Sequence, residues 1–513
     1  MEVNGFRLVD MNILFINLNI GATVGLNNGL AILSAVLKQR GHQTHLLFLS
    51  EDLGYGVDLK RIKGDILQIN PDIIGISLPE PQFRYAEQIC DGIRDYYSGF
   101  IICGGAFPTM DPFTVIRMPA VDAICIGEGE DALCELASAL SSKTDYFHIK
   151  NLWVKTKDGN IIKNSLRPFK DLDELPPEDK ELFDLKKILP MKNYQLEEMV
   201  GRGCPFKCSY CINDSYVDIY KENCTEPVNK KSYLRMKNIE TVLIELKNTI
   251  KLHPEIKKIA FIDDSFLMFN NFLEGFSKRY ASEIGLPYMC NVNPVSFNLA
   301  KGHMLKDSGC DDIRFGIESG SERVKREIMN RNISNKKVIE AFIITASLGL
   351  MTSSFNMIGL PTETKEEVME TLRLNAQILP DTIKLMTFYP FKNTPIYELC
   401  EKMDLIDHKK KRELDNYDTF TCLKFPPEHQ LFLRKVQTAF SWYLNTFLNN
   451  EASEDYKTKV IEIENMDESD WLKFDFYQAD KNISNKYREK NILHYSSFIN
   501  RSLAAKFPSR HFS

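Results

Sequence analysis

The sequence predicts an α/β protein in three parts: a doubly wound, Rossmann-like parallel sheet, a partial (β/α)6 barrel of the TIM type, and a helical extension. Three observations carry this. Short apolar strands alternate with amphipathic helices in two separate series along the chain. Glycine-rich or polar turns follow many of the strands, where parallel sheets and barrels place their ligands. The second series opens on a loop with three cysteines, Cys204, Cys208 and Cys211.

At 513 residues the chain has room for two or three domains, given about 100–200 residues per domain. Its 43% hydrophobic and 26% charged content is that of an ordinary globular protein. A net charge of -6 supplies no electrostatic footprint for nucleic acid, and the basic run His408–Arg412 reads as a solvated helix face. The twelve cysteines do not read as a disulfide framework, because Cys103, Cys125 and Cys290 fall in apolar strand-like segments. The start, Met1–Gly5, lacks the basic and apolar runs of a signal peptide, and no stretch of about 18 apolar residues spans a bilayer. These features predict a cytoplasmic protein.

The first domain is placed at 11–150. Asn12–Leu18 reads as a buried strand, Gly29–Gln39 as a helix ended by Gly41, and Thr44–Leu49 as a second strand. Asp72–Leu78, Phe100–Cys103 and Ala123–Ile126 complete five strands, with helices such as Tyr85–Tyr96 between them. Residues 151–196 read as a linker that contains a hairpin across Lys157-Asp158-Gly159. In 197–400 the strands are placed at Met199–Gly201, Lys258–Ile262, Tyr288–Val292, Ile313–Ile317, Ser353–Ile358 and Lys384–Tyr389. Helices fit at Ile239–Leu252, Asn335–Leu348 and Lys365–Ile378. Residues 401–513 read as a helical extension, with Phe432, Val436, Phe440, Tyr443 and Phe447 on one face of Leu431–Leu448.

The cysteine loop runs Gly-Arg-Gly-Cys-Pro-Phe-Lys-Cys-Ser-Tyr-Cys over 201–211. Three thiolates this close suit an iron–sulfur cluster or zinc, and a structural zinc site wants a fourth protein ligand. With Tyr210 before the last cysteine, the loop resembles the cluster-binding loop of the radical S-adenosylmethionine (SAM) enzymes. The resemblance implies a [4Fe–4S] cluster held by Cys204, Cys208 and Cys211, whose fourth iron binds SAM and whose electron cleaves it to a 5′-deoxyadenosyl radical. It extends over about two hundred residues, always just after a strand. Asp263-Asp264 matches the position that holds the SAM amino group, and Asn291 and Asn293 face the ribose or carboxylate. Glu318 and Ser319, in Gly316-Ile317-Glu318-Ser319-Gly320-Ser321, match a signature near ribose and methionine. Ile358-Gly359 packs on adenine; Thr362-Glu363 also suits the start of the next helix. The sixth strand departs from the family, with Lys392-Asn393 where Pro-Gly is commoner; this turn is expected to differ and to face substrate.

Ahead of the loop, Gly29-Leu30-Ala31, the strand ending at Ser77, Gly104-Gly105 and Gly127-Glu128-Gly129-Glu130 are similar to the cobalamin-binding domain that precedes many radical SAM domains. The resemblance implies cobalamin contacts at Ser77, Gly104, Gly105, Gly127, Glu128 and Gly129. The Asp-x-His-x-x-Gly motif is absent, and His42 and His45 are poorly placed to replace it, so a histidine ligand to cobalt is not expected. The other reading of this domain is a flavodoxin-like fold without cofactor. For Glu128 and Glu130 the helix dipole alone is a sufficient account.

The whole implies a cobalamin-dependent radical SAM C-methyltransferase: one SAM methylates cobalamin, and a second yields the radical that activates an unactivated carbon. A small-molecule or peptide substrate and a reducing partner such as flavodoxin or ferredoxin follow from the same resemblance. Cyclisation or rearrangement, or a sensor without turnover, are the alternatives. Methylthio transfer to RNA is disfavoured, because Cys90, Cys103, Cys125 and Cys134 read as core and no basic domain follows.

Overall fold

The computed structural model describes residues 2–3, 6–7, 10–416, 420–501 and 503–508. Of the ten loose residues read at the start, Met1, Asn4, Gly5, Leu8 and Val9 lie outside these, as does the end of the tail, 509–513. The chain divides into two compact units: 1–205, 211–260 and 391–394 form one, and 206–210, 261–390 and 395–513 the other.

The first unit is built on β1 (Asn12–Leu18), α1 (Asn28–Gln39), β2 (Gln43–Leu49), α2 (Leu59–Ile69), β3 (Ile73–Ser77), α3 (Phe83–Arg94), β4 (Phe100–Gly104), β5 (Ala123–Cys125) and α4 (Glu130–Ser142). The five strands pair in parallel, in the order β2-β1-β3-β4-β5. This is the doubly wound order, with its switch point between β1 and β3. The strands are apolar along their length because helices cover both faces. Ile13, Leu14, Ile73, Ile74, Ile101 and Ile124 are fully buried.

The hairpin predicted in the linker is present as β6 (Leu152–Lys155) and β7 (Ile161–Lys163), but it does not stand in a linker. It adds to the sheet, β6 antiparallel to β5 and β7 antiparallel to β6. Burial of Leu152, Trp153 and Val154 is the reason. Later come β8 (Gln195–Glu198), β9 (Gly201–Arg202), α5 (Ile212–Asn223), β10 (Arg235–Met236), α6 (Ile239–Leu252) and β11 (Lys258–Phe261). The first strand of the second series is thus β8, neighbour to β11, and not Met199–Gly201. Gly201–Arg202 pairs instead with Arg235–Met236, antiparallel. The polar sequence Gln-Leu-Glu-Glu hides β8, in which Leu196 and Glu198 are buried. Glu198 is tolerated there because Lys180 lies 2.8 Å away.

In the second unit, β12 (Tyr288–Val292), β13 (Cys310–Glu318), β14 (Met351–Ile358) and β15 (Thr382–Thr387) run parallel in chain order, with helices between. Phe261, Phe266, Phe276, Tyr280 and Tyr288 form one aromatic cluster beside β12. The connecting helices include α7 (Asn335–Ser347) and α8 (Lys365–Ile378), whose start is fixed by the Thr364–Glu367 capping box.

The extension is not wholly helical. Helix α9 (Pro427–Asn445) buries Phe432, Val436, Phe440 and Tyr443 against Val368 and Leu372 of α8 and Ile383 and Leu385 of β15. The polar tail forms α10 (Phe476–Glu489), then β16 (His494–Ser496) and β17 (Ala504–Phe507), and β17 joins β15 antiparallel. Asp480, fully buried on α10, accepts from Trp442 Nε1 at 2.8 Å, Ser496 Oγ and Ser497 N at 2.7 Å, and Phe498 N at 3.0 Å. The run His408–Arg412 also departs from its reading as a solvated face. Lys411 is buried, its Nζ 4.8 Å from the Tyr389 ring and 5.5 Å from the Tyr397 ring. Asp480→Ala strands four donors in the interior and is expected to destabilise the protein by roughly 3 kcal/mol or more in a urea-unfolding series.

Candidate active site

Within the second unit the middle of the cysteine loop is held by backbone and side-chain hydrogen bonds. Ser209 N donates to Met329 O at 2.9 Å, Ser209 Oγ to Ile328 O at 2.5 Å, and Ile396 N to Ser209 O at 3.1 Å. Asn330 Nδ2 donates to Lys207 O at 2.8 Å. The partner segment, Val324–Ile328, is a single π-helical turn, a form frequent at functional sites. It delivers Arg331, which is 8% exposed, to the loop. Arg331 Nη1 lies 3.6 Å from Cys208 Sγ, and Nη2 donates to the carbonyl of Gly316.

Glu318 ends β13 with φ +71, a left-handed conformation that costs a non-glycine residue of order 1–3 kcal/mol and occurs where surrounding contacts impose it. Here those contacts are visible. Gly320 N donates to Thr371 Oγ1 at 2.8 Å, Ser321 N to Ser319 Oγ at 3.2 Å, and Ser321 Oγ to Glu367 Oε1 at 3.1 Å. A Cβ on Gly320 would lie 2.3 Å from Glu370 O, so the turn sits directly on α8. Ser319 is fully buried with its hydroxyl engaged in this lock. Burial pushes the Glu318 carboxyl up, against the Arg331 charge and a hydrogen bond from Tyr210. Cys208, Tyr210, Glu318 and Arg331 therefore form one group.

The other expected residues lie at strand ends of the same unit. Asp263 is buried and Asp264 exposed, and Asn291 Nδ2 donates to Asp263 O at 3.4 Å. Asn293 uses its Oδ1 to cap a short turn, accepting from Val295 N at 3.0 Å. Ile358 is fully buried, and Gly359 follows at φ +77. Glu363 does not begin the next helix, since Thr364 caps it. Its Oε2 accepts from Gly359 N at 2.6 Å and Leu360 N at 3.3 Å, fastening the turn after β14.

In the first unit Ser77 stands at the switch point. Asn27 Nδ2 donates to Ser77 Oγ at 3.0 Å and to Asn17 Oδ1 at 2.9 Å, while Asn27 Oδ1 caps α1. Gly104 ends β4, and Gly105 adopts φ +101 with room for a Cβ only at 3.4 Å from Leu78 N. Gly127, also at positive φ, meets Tyr220 of α5: a Cβ there would fall 2.1 Å from the Tyr220 hydroxyl. That hydroxyl accepts from Glu128 N at 2.9 Å. Glu128 is a hub of ion pairs, with Arg202 at 2.8 Å and Arg235 at 2.7 Å, and Lys170 N donates to it at 3.1 Å. Burial alone would raise its pKa, but the two guanidinium groups hold it at about 2. Glu130 is buried against Arg202 at 2.7 Å, more than a helix dipole requires. Gly129 caps α4.

Lys392 and Asn393, expected to face substrate, are taken up within the first unit. Lys392 Nζ pairs with Asp111 at 2.6 Å, and Asn393 Nδ2 donates to Met110 O. Among the described residues no three His, Cys, Asp or Glu side chains stand close enough to hold a metal ion. The three cysteines share an eight-residue loop, none is in a disulfide, and Asn213 Nδ2 donates to Cys211 Sγ at 3.4 Å. Their side chains are not gathered as they stand. In chemistry, however, three soft donors in one loop suit an iron–sulfur cluster or zinc, and the guanidinium facing Cys208 favours the thiolate that such a centre needs. Arg331, Arg202, Arg235 and Tyr220 were missed from sequence, since isolated arginines and tyrosines carry no spacing signal.

The fold and site define an α/β enzyme class in which a doubly wound cofactor-binding sheet precedes a cysteine-loop barrel. A radical SAM superfamily model matches residues 199–374, and a B12 binding domain model matches 20–137. An uncharacterized methyltransferase of Pyrococcus horikoshii is 28% identical over 432 residues, 82% of this chain and 88% of that protein. An anaerobic magnesium-protoporphyrin IX monomethyl ester cyclase of Rubrivivax gelatinosus is 22% identical over 417 residues, 78% of this chain and 72% of that one. The solved structure of the cobalamin-dependent S-adenosylmethionine radical enzyme OxsB shares the fold, with TM-score 0.66 at 17% identity over 94% of this chain and 73% of that one. The chain belongs to the radical SAM enzymes that carry a B12-binding domain ahead of the radical SAM domain.

Burial pushes the Glu363 carboxyl up to about 8, from an ordinary 4.5. A raised folded-state pKa means that the contribution is full below pH 4.5 and is lost as pH rises through 8. Glu363→Gln should remove this dependence. Urea unfolding from pH 5 to 8.5 is expected to show the wild type losing stability relative to the variant, on the order of a few kcal/mol.

Proposed function

We propose that this protein is a cobalamin-dependent radical SAM C-methyltransferase acting on an unactivated carbon. The observation that carries the reading is the co-occurrence, in family order, of the three-cysteine loop, the Glu318 signature and a switch-point sheet of the B12-binding type. When bound, the cluster and SAM would supply a carbon radical and cobalamin a carrier for a methyl group.

The residues of this chain have distinct parts in that reading. Cys204, Cys208 and Cys211 would hold the cluster and leave one iron open. Asp263 is suited to the SAM amino group as a charge-assisted acceptor, since it is 1% exposed at a strand end. Glu318 and the Ile358-Gly359 turn would orient the nucleoside, the first held by the α8 lock and the second by Glu363. Ser77, at the switch point where a doubly wound sheet binds its ligand, and Gly104 and Gly105, at the end of the neighbouring β4, would contact the cobalamin. Glu128, Gly127 and Gly129 would hold that end of the site through the backbone, the carboxylate of Glu128 being engaged by Arg202 and Arg235.

Among the described residues no helix is long and apolar enough to cross a membrane. A cytoplasmic enzyme served by a reducing partner such as flavodoxin or ferredoxin completes the reading. Its substrate is a small molecule or peptide. A second reading, cyclisation without methyl transfer, is supported by the resemblance to the anaerobic cyclase.

Anaerobic reconstitution with iron, sulfide and hydroxocobalamin tests both. A four-iron cluster with one cobalt, followed by S-adenosylhomocysteine and 5′-deoxyadenosine as products from SAM, is the expected result. 5′-Deoxyadenosine without S-adenosylhomocysteine would favour the cyclase reading, and zinc in place of iron would end the radical one. Cys208→Ala is expected to abolish SAM cleavage while leaving the cobalamin absorbance intact.

A further inference from the structure

We propose that Arg331 is a positioning residue that sets the reduction potential of the metal centre through Cys208. This rests on the cluster assignment above and adds to it a residue that no motif names.

Three observations carry it. The guanidinium is buried, with Nη1 3.6 Å from Cys208 Sγ, within hydrogen-bonding range of sulfur. Its Nη2 is fixed on the Gly316 carbonyl, so the charge cannot swing away without breaking a second bond. Its Nε has no hydrogen-bond partner, and the group is not part of a bidentate carboxylate pair that would cancel its field. The backbone holds the arrangement at both ends: Arg331 N donates to Lys325 O at 2.7 Å, and Ser209, next to Cys208, donates to Met329 O.

The consequence is electrostatic. A thiolate-ligated cluster gains one negative charge when it takes an electron. A buried cation beside one sulfur favours that state, and screening by water is weak there. Hydrogen bonds to cluster sulfurs and nearby net charge are among the levers that set such potentials. Arg331 supplies both on the same atom. Glu318, the carboxyl facing it, works in the opposite sense, and burial pushes its pKa up against the Arg331 charge.

The test compares wild type, Arg331→Gln and Arg331→Lys after anaerobic reconstitution, with iron and sulfide counted. Reduction is followed by electron paramagnetic resonance against mediator dyes poised with dithionite, without SAM. Arg331→Gln, carrying a full cluster, is expected to need at least a tenfold higher ratio of reduced to oxidised mediator for half reduction, about 59 mV for one electron. Arg331→Lys should recover much of that shift, because it keeps the charge. A midpoint unchanged in Arg331→Gln would overturn the proposal. If Gln assembles no cluster, its assembly in Lys supports the role of charge; loss in both would make Arg331 a support for the Gly316 carbonyl and overturn it. A wild type that assembles no four-iron cluster would instead sink the functional reading itself.

Discussion

A buried guanidinium needs partners, and the second unit is arranged to give Arg331 its own. An unpaired interior charge is expensive, so the Gly316 carbonyl and the Cys208 sulfur, both within reach, decide where the side chain sits. Its backbone lies just beyond the π-helical turn Val324–Ile328, and that turn meets the cysteine loop through Ser209. Strand end, turn and loop are therefore joined by hydrogen bonds into one body. The geometry of Glu318 follows from the same body, because the left-handed residue is braced by Thr371 and Glu367 on α8.

The first unit solves a similar problem with the opposite sign. Glu128 and Glu130 stand at the start of α4, where an exposed acid would gain only a few tenths of a kcal/mol from the helix dipole. Burial makes arginines necessary. Arg202 and Arg235 come from a short antiparallel pair, and Arg202 lies two residues before Cys204, so the chain leading into the cysteine loop is fastened to the β5 turn. Tyr220 fills the space beside Gly127 from α5, the helix that follows Cys211. Both sides of the cysteine loop are thereby tied to the turn that follows β5.

Local signals were strong where one physical cause acts. Long apolar runs gave β1, β3 and β4 because parallel strands are buried on both faces. The helices placed at Ile239–Leu252 and Lys365–Ile378 begin where the periodicity put them, and the structure shows Asn238 and Thr364 capping them by accepting from an N3 amide. The signals failed where a partner distant in sequence decides. Gln195–Glu198 is too polar to read as a buried strand until Lys180 neutralises Glu198. Residues 494–496 and 504–507 are strands only because β15 offers an edge. Lys411 is buried against the rings of Tyr389 and Tyr397, which lie 22 and 14 residues before it.

The sequence by itself determined the fold class, the order of the two cofactor domains and the three-cysteine loop, because each depends on residues close together in the chain: apolar periodicity, turn chemistry and a loop of eight residues. Tertiary structure alone decided which charges surround that loop and the Glu128 turn. Arg331 is 123 residues from Cys208, and Arg235 is 107 from Glu128. At such separations no spacing survives in the sequence, since only the folded backbone brings the groups within hydrogen-bonding distance. It also decided that Glu363 closes the Gly359 turn instead of opening a helix, because the chain reverses at Thr362 with φ +63.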